Sequence, residues 1–134
     1  MKSRAGGVTL VELLVVVTIL GIVAAVAIPS YRAYVVRANR SDAKSATLAM
    51  ASQLERCFTR YNAYDDANCP VIITNMPSPE GHYLVNAEVT ASTFTVTATP
   101  QGEQAQDPCG SFSLNSSDAR SVGGTESVAN CWSR

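Results

Sequence analysis

The chain has 134 residues, 46% of them hydrophobic, with ten basic against eleven acidic side chains. That length suffices for one modest domain plus one long helix and excludes two domains. A net charge of −1 excludes a polybasic nucleic-acid binder by composition.

The first seven residues, Met1 to Gly7, carry Lys2 and Arg4 and end in Gly6-Gly7. Val8 to Ile28 follows, apolar except for Thr9, Glu12 and Thr18. About 20 apolar residues at about 1.5 Å per residue span a hydrocarbon core of about 30 Å. A secretory signal peptide has a shorter apolar core followed by a small-x-small cleavage site. Ala24-Ala25-Val26-Ala27 passes for such a site, and cutting there would leave a soluble protein beginning near Ile28. The length of the run opposes that reading, and so does Glu12. An acidic residue at the centre of a membrane helix costs roughly 3 kcal/mol, so it needs a partner. Cutting between Gly7 and Val8 would create one. The new amine on Val8 of a neighbouring, axially staggered copy would neutralise Glu12. The run is therefore expected to be a membrane-held helix that packs against copies of itself.

Pro29 removes one i to i−4 hydrogen bond and is expected to end or kink the apolar run. Gly21 weakens helix propensity one to two turns earlier. From Ser30 the pattern turns amphipathic. Ala43, Thr47, Met50, Leu54, Cys57 and Tyr61 recur at spacings of three or four, which is one helix face. Arg40, Lys44 and Ser52 fall on the opposite side. One helix is expected from about Val8 to about Arg60, roughly 80 Å long, with its second half packed on a head and its first half protruding. Arg32, Arg37, Arg40 and Lys44 read as a solvated or headgroup-facing side.

Tyr61 to Gly81 holds Asn, Asp and three prolines, the composition of a loop. His82 to Thr90 alternates through Tyr83, Val85, Ala87 and Val89, and Thr93 to Thr99 through Phe94, Val96 and Ala98. The short link Ala91-Ser92 predicts a β-hairpin. Pro100 to Pro108 is a polar loop, Ser111 to Asn115 a third strand, Asp118 to Val122 a short fourth, and Gly123-Gly124 a turn. The fold class is α+β: one antiparallel sheet laid over one long helix.

The cysteines are Cys57, Cys69, Cys109 and Cys131. None forms C-x-x-C, and the lone His82 is distant in sequence, so the zinc spacing signal is missing. An even count behind an export-like segment reads as disulfides in an oxidising compartment. Four cysteines allow three connectivities. The two local pairs, Cys57–Cys69 and Cys109–Cys131, are favoured, each worth roughly 3 kcal/mol in chain entropy. No phosphate loop, H-E-x-x-H or G-x-S-x-G is found. Asp65-Asp66 lacks the further oxygen ligands that calcium needs. The expectation is no enzyme, no metal and no cofactor. Asn39-Arg40-Ser41 and Asn115-Ser116-Ser117 fit the glycosylation triplet and are both discounted.

Gly7-Val8-Thr9-Leu10-Val11-Glu12-Leu13 resembles the type IV prepilin cleavage motif, a glycine followed by F-T-L-[IV]-E-[LV]. The resemblance continues through Ala27-Ile28-Pro29-Ser30-Tyr31. Tyr34-Val35, Arg40-Ser41-Asp42-Ala43 and Gln53-Leu54-Glu55-Arg56-Cys57 look like the amphipathic half of a PilE-like pilin helix. Cys109-Gly110-Ser111-Phe112-Ser113-Leu114-Asn115 and Cys131-Trp132 look like the same subgroup's tail. The match is strong over Gly7 to about Arg60 and looser beyond.

The resemblance implies a leader at 1–7, a transmembrane and fibre-core helix half at 8–29, and a periplasmic head at 30–134. It implies cleavage after Gly7 by a prepilin peptidase and N-methylation of Val8, although Val8 stands where the family usually has Phe. It implies assembly with copies of itself or other pilins through a membrane platform, with Glu12 setting register. Gly21 to Pro29 would lose helical structure in the fibre. The chain would sit in the inner membrane before assembly and in an extracellular pilus after it, supporting adhesion, twitching motility or DNA uptake. The positive-inside rule disagrees, because Arg32, Arg37, Arg40 and Lys44 outnumber Lys2 and Arg4. The cysteines and the prepilin motif outweigh it. The alternatives are a type II secretion pseudopilin, a tip-located minor pilin contacting DNA or another ligand through Arg120 and Arg134, and an anchored periplasmic protein that never assembles.

Overall fold

A computed structural model describes residues 7–71 and 73–133. Helix α1 runs from Leu10 to Tyr61 and is shared by two compact units that divide between Val35 and Val36.

In the first unit α1 opens on a side-chain cap. The Glu12 amide donates to Thr9 Oγ1 at 3.2 Å, and the Leu13 amide donates to the Thr9 carbonyl at 3.1 Å. Thr9-x-x-Glu12 thus has the spacing of a capping box, with an acidic side chain in the first turn, where the helix dipole favours it. The sequence reading assigned Glu12 to assembly alone and missed this local use. Thr18 Oγ1 donates to the Leu14 carbonyl at 2.7 Å, which satisfies its hydroxyl within the helix. Pro29 lies inside α1, so the expectation that it could end the helix is corrected. Proline deletes one amide donor, and the intact ladder on both sides carries the helix past it. No side chain from 8 to 35 is buried.

The second unit holds the last part of α1 and a five-stranded sheet. The strands are β1 (Met76–Pro77), β2 (Tyr83–Val89), β3 (Phe94–Pro100), β4 (Phe112–Asn115) and β5 (Arg120–Val122). They lie in chain order and every neighbouring pair is antiparallel. Val89 pairs with Phe94, so the β2–β3 hairpin turns through 90–93, where the Thr90 and Thr93 hydroxyls bond each other at 2.7 Å. Period-2 alternation puts Tyr83, Val85 and Ala87 on one face with Phe94, Val96, Ala98, Phe112 and Leu114. The register aligns them in rows, Ala87 beside Val96 beside Leu114, and Val85 beside Ala98 beside Phe112. This face forms one core with Ala43, Ala46, Met50, Ala51 and Leu54 of α1. Burial of Tyr83, Phe112, Met50 and Leu54 contributes roughly 1.5–3 kcal/mol for each side chain.

Several elements depart from the sequence reading. The 61–81 loop contains β1, which pairs Met76 with Val85 and Pro77 with Leu84. Two residues, one a proline, show no alternation to detect. The 100–108 segment is a 3-10 helix, Gly102–Gln106, rather than an irregular loop, and β3 extends into Pro100. A second helix, α2 (Val128–Trp132), was not anticipated. Ser127 caps it by accepting from the Asn130 amide. On α1, Asp42, Ala46 and Ala51 join the buried face, while Tyr61 at its end is only half-buried.

The tail closes backbone against backbone. The amides of Gly123, Gly124 and Thr125 donate to the carbonyls of Ser111, Cys109 and Pro108, each at 2.9 Å. A Cβ on Gly124 would overlap the Pro108 carbonyl, and one on Gly123 would overlap the Ser111 hydroxyl. The close approach therefore requires glycine at 124, where the obstacle is backbone, whereas at 123 the Ser111 hydroxyl could turn aside.

Candidate functional site

The residues that carry the functional expectation fall into two groups. The first is the start of α1. Gly7 and Val8 precede the helix, and Val8 is 74% exposed. Glu12 stands in the first turn. Leu10, Val11, Leu13, Leu14, Ile19 and Leu20 around it are all exposed. An 18-residue window of α1 has a mean hydropathy of 2.8 with none of it buried. A helix that apolar and that exposed fits anchoring in a membrane or packing against other apolar helices. Gly21 has nothing within 4 Å of a Cβ, so no local packing explains it. Lys2 and Arg4 lie outside the described residues.

The second group belongs to the head. Cys57 is joined to Cys69 across 12 residues, and Cys109 to Cys131 across 22. The first bridge ties the loop after α1 back to the helix. The second ties the segment before β4 to α2. Asp66 Oδ1 accepts from both the backbone and side-chain nitrogens of Asn68, so its carboxylate is used in a local turn.

Behind the second bridge lies a polar cluster that the sequence reading missed. Arg40 was expected on a solvated side. Instead its Nε and Nη2 donate to Asp107 at 2.8 and 2.7 Å, and the Asp107 side chain is wholly buried. The hydrogen bond to Asp107 raises the Arg40 pKa above its ordinary value against the opposing effect of burial. Asp107 also accepts from the Cys109 amide at 3.0 Å and from Gln104 Nε2 at 3.2 Å. Gln104 Nε2 lies 2.9 Å from both the Val36 carbonyl and the Tyr83 hydroxyl. Burial pushes Tyr83 up to about 12, partly offset by the Gln104 hydrogen bond. Charge-assisted, bidentate geometry of this kind fixes orientation as well as energy. Here it locks the 3-10 helix and the Cys109 loop to α1. The only sequence signal would have been an Arg and an Asp 67 residues apart, which nothing local connects.

Lys44 is likewise used internally, donating to the Ser133 carbonyl at 2.6 Å, and desolvation lowers its pKa. Asp42 is buried and accepts from Ser78 Oγ, the Glu80 amide and the His82 amide, which shapes the turn into β2. Arg120, expected as a free contact, lies 5.1 Å over the Trp132 ring and 3.9 Å from Asp118. Arg134 is outside the described residues.

Comparison with known proteins assigns both groups to one family. Residues 29–113 match the family described as "Type IV minor pilin ComP, DNA uptake sequence receptor". Residues 2–28 match the prokaryotic N-terminal methylation motif. The type IV major fimbrial protein FimA of Dichelobacter nodosus is 36% identical over 92 residues, covering 69% of this chain and 58% of that protein. The type IV major pilin protein PilE1 of Neisseria gonorrhoeae is 31% identical over 103 residues, covering 76% of this chain and 62% of that protein. The chain thus spans about three-fifths of the length of these relatives. Among solved structures, a type IV pilin from Shewanella oneidensis superposes with a TM-score of 0.54 at 29% identity, over 74% of this chain and 99% of that one. The non-core minor pilin PilV of Neisseria meningitidis shares the fold, with a TM-score of 0.55 at 19% identity over 71% and 94%. The methylation motif at the start of the apolar helix and the family match over the head together place the chain in one group: it belongs to the type IV pilin family.

Proposed function

We propose that this chain is a minor pilin whose head binds DNA for uptake. A prepilin peptidase cuts it between Gly7 and Val8 and methylates the new amine. Val8 to Ile28 holds it in the inner membrane with the head periplasmic, until a membrane assembly platform draws it into a pilus with other pilins. In the fibre, Glu12 pairs with the Val8 amine of a neighbour and sets axial register. The observation that carries the DNA reading is the match of 29–113, nearly the whole head up to β4, to a family described as a DNA uptake sequence receptor. Composition limits how the head can do this. From residue 30 onward there are eight basic and ten acidic residues, so attraction to DNA must come from local arginines and not from net charge.

Two measurements test the proposal. Intact-mass and N-terminal analysis of the membrane-extracted protein should find methyl-Val8; an uncut leader or a start near Ile28 would refute the processing. Fluorescence anisotropy of the processed full-length chain in detergent should show salt-dependent binding of duplex DNA. Absence of binding at low salt would refute the receptor reading and leave a fibre subunit.

A further inference from the structure

The basic side chains of the head are not equally available. Arg40 is committed to Asp107, Lys44 to the Ser133 carbonyl, and Arg120 to Trp132 and Asp118. Arg32 and Arg37 are also exposed and without an ion pair among the described residues, but they stand five apart on α1; Arg56 and Arg60 differ. They stand four residues apart on α1, so their side chains are neighbours on one helix surface. Both are exposed, and among the described residues neither forms an ion pair. Arg56 Nε donates to the Ser52 carbonyl at 3.3 Å, which leaves its two terminal nitrogens uncommitted among the described residues.

The two arginines line a cleft of about 400 Å³ whose other walls include Gln53, Tyr61, Pro70 and Val71. The Cys57–Cys69 bridge holds the Pro70-Val71 wall against the helix. The Arg60 guanidinium lies 5.7 Å from the centroid of the Tyr61 ring. A cation in the last turn of a helix is explained by the helix dipole, which covers Arg60. Arg56 lies more than one turn from the end and gains little from it. Two like charges at this spacing repel each other mildly, so an anion between them relieves that cost. Their combined charge outweighs the partial negative charge of the helix C-terminus. The guanidinium fork matches phosphate oxygens, and the Tyr61, Pro70 and Val71 surfaces suit the apolar side of a sugar.

We propose that this cleft grips one backbone phosphate of DNA between Arg56 and Arg60, with the adjoining sugar against Tyr61. The inference rests on the DNA-binding reading above and adds the place of contact. A phosphate contact positions the duplex and carries no base sequence.

The test compares the processed full-length chain with Arg56→Gln/Arg60→Gln in detergent, on several duplex sequences between 50 and 200 mM salt. Loss of one phosphate contact should lower the slope of log K against log salt by about 0.9 and affinity near 0.1 M by about tenfold, equally for all sequences. An Arg56→Lys/Arg60→Lys variant should recover the slope, since it keeps the charges. Peptide mapping of the disulfides and thermal unfolding should match the unsubstituted chain; if the glutamine pair misfolds, Arg56→Gln alone should give the same direction. Unchanged slope and affinity in a folded variant overturn the cleft while leaving DNA binding intact. A variant that loses binding only to anionic phosphatidylglycerol vesicles overturns it too, because the arginines then face a membrane. An unsubstituted chain that does not bind DNA overturns the receptor reading, and the cleft with it.

Discussion

The two parts of α1 use apolar residues in opposite ways. Leu10 to Val35 is dominated by large aliphatics, and none of them is buried. Val36 to Tyr61 has fewer, and it buries small ones, Ala43, Ala46 and Ala51, beside Met50 and Leu54. Small residues let a sheet approach the helix closely, so the head part finds its core within the chain. The first part has no such partner in its own unit, and an apolar surface of that extent suits a medium such as lipid or other apolar helices. One continuous helix thus serves the core of the head at one end and leaves its apolar surface exposed at the other.

The largest expected effect separates those roles at Glu12. Glu12→Ala should leave cleavage and head stability unchanged and reduce sheared fibres to background, because an unpaired Val8 amine in an apolar fibre costs about 3–5 kcal/mol. Glu12→Gln sharpens the result. Glutamine still fits the capping-box spacing with Thr9, so failure of this variant to assemble isolates the charge from the cap. Normal fibres from either variant would break the comparison.

Next comes the head. Phe112→Ala should destabilise it by about 3–5 kcal/mol in denaturant titrations, with membrane extraction unchanged. An effect on membrane retention instead would show that the two parts are not independent. Arg40→Ala should cost about 3 kcal/mol, because it strands Asp107 buried and unpaired. Adding Asp107→Asn should recover part of that loss, and a double variant no better than the single would refute a charge-pairing origin.

The smallest effect is a pH dependence. Tyr83 is held neutral up to about 12 in the folded head, against an ordinary 10. Below pH 10 both states are protonated and nothing changes. Between pH 10 and 12 the unfolded chain loses its proton first, so stability falls with rising pH, by about 2 kcal/mol at pH 12. Tyr83→Phe should lose about 1 kcal/mol at neutral pH, from its hydrogen bond with Gln104, and show a flatter alkaline limb. An unaltered limb would reject the assignment.

Legibility in the sequence followed physical range. The apolar run, the hairpin and the third strand rest on periodicities within a few residues, and Tyr83 to Val89 and Phe94 to Pro100 fall close to where alternation puts them. The prepilin motif is also local, and it carried the family. The Arg40–Asp107–Gln104–Tyr83 cluster is joined to α1 and β2 by contacts 67 and 21 residues apart, and none of its members is unusual in its own window. Strand β1 and helix α2 are too short to establish a period. Arg40 and Lys44 were read as solvated because charge on a helix face usually is; a buried carboxylate elsewhere in the chain reversed that for Arg40. The arginine cleft needed both the helix spacing, which was legible, and the folded-back Pro70-Val71 wall, which was not.

The crossing at the tail separates a fixed backbone path from a free outer surface. Where 108–111 meets 123–125, the backbones lie so close that a methyl group on Gly124 would strike the Pro108 carbonyl. The turn at 116–119 and the outer residues 125–130 hang from that crossing and are largely exposed. Side chains on that outer face can therefore change while the backbone stitch beneath them keeps its path.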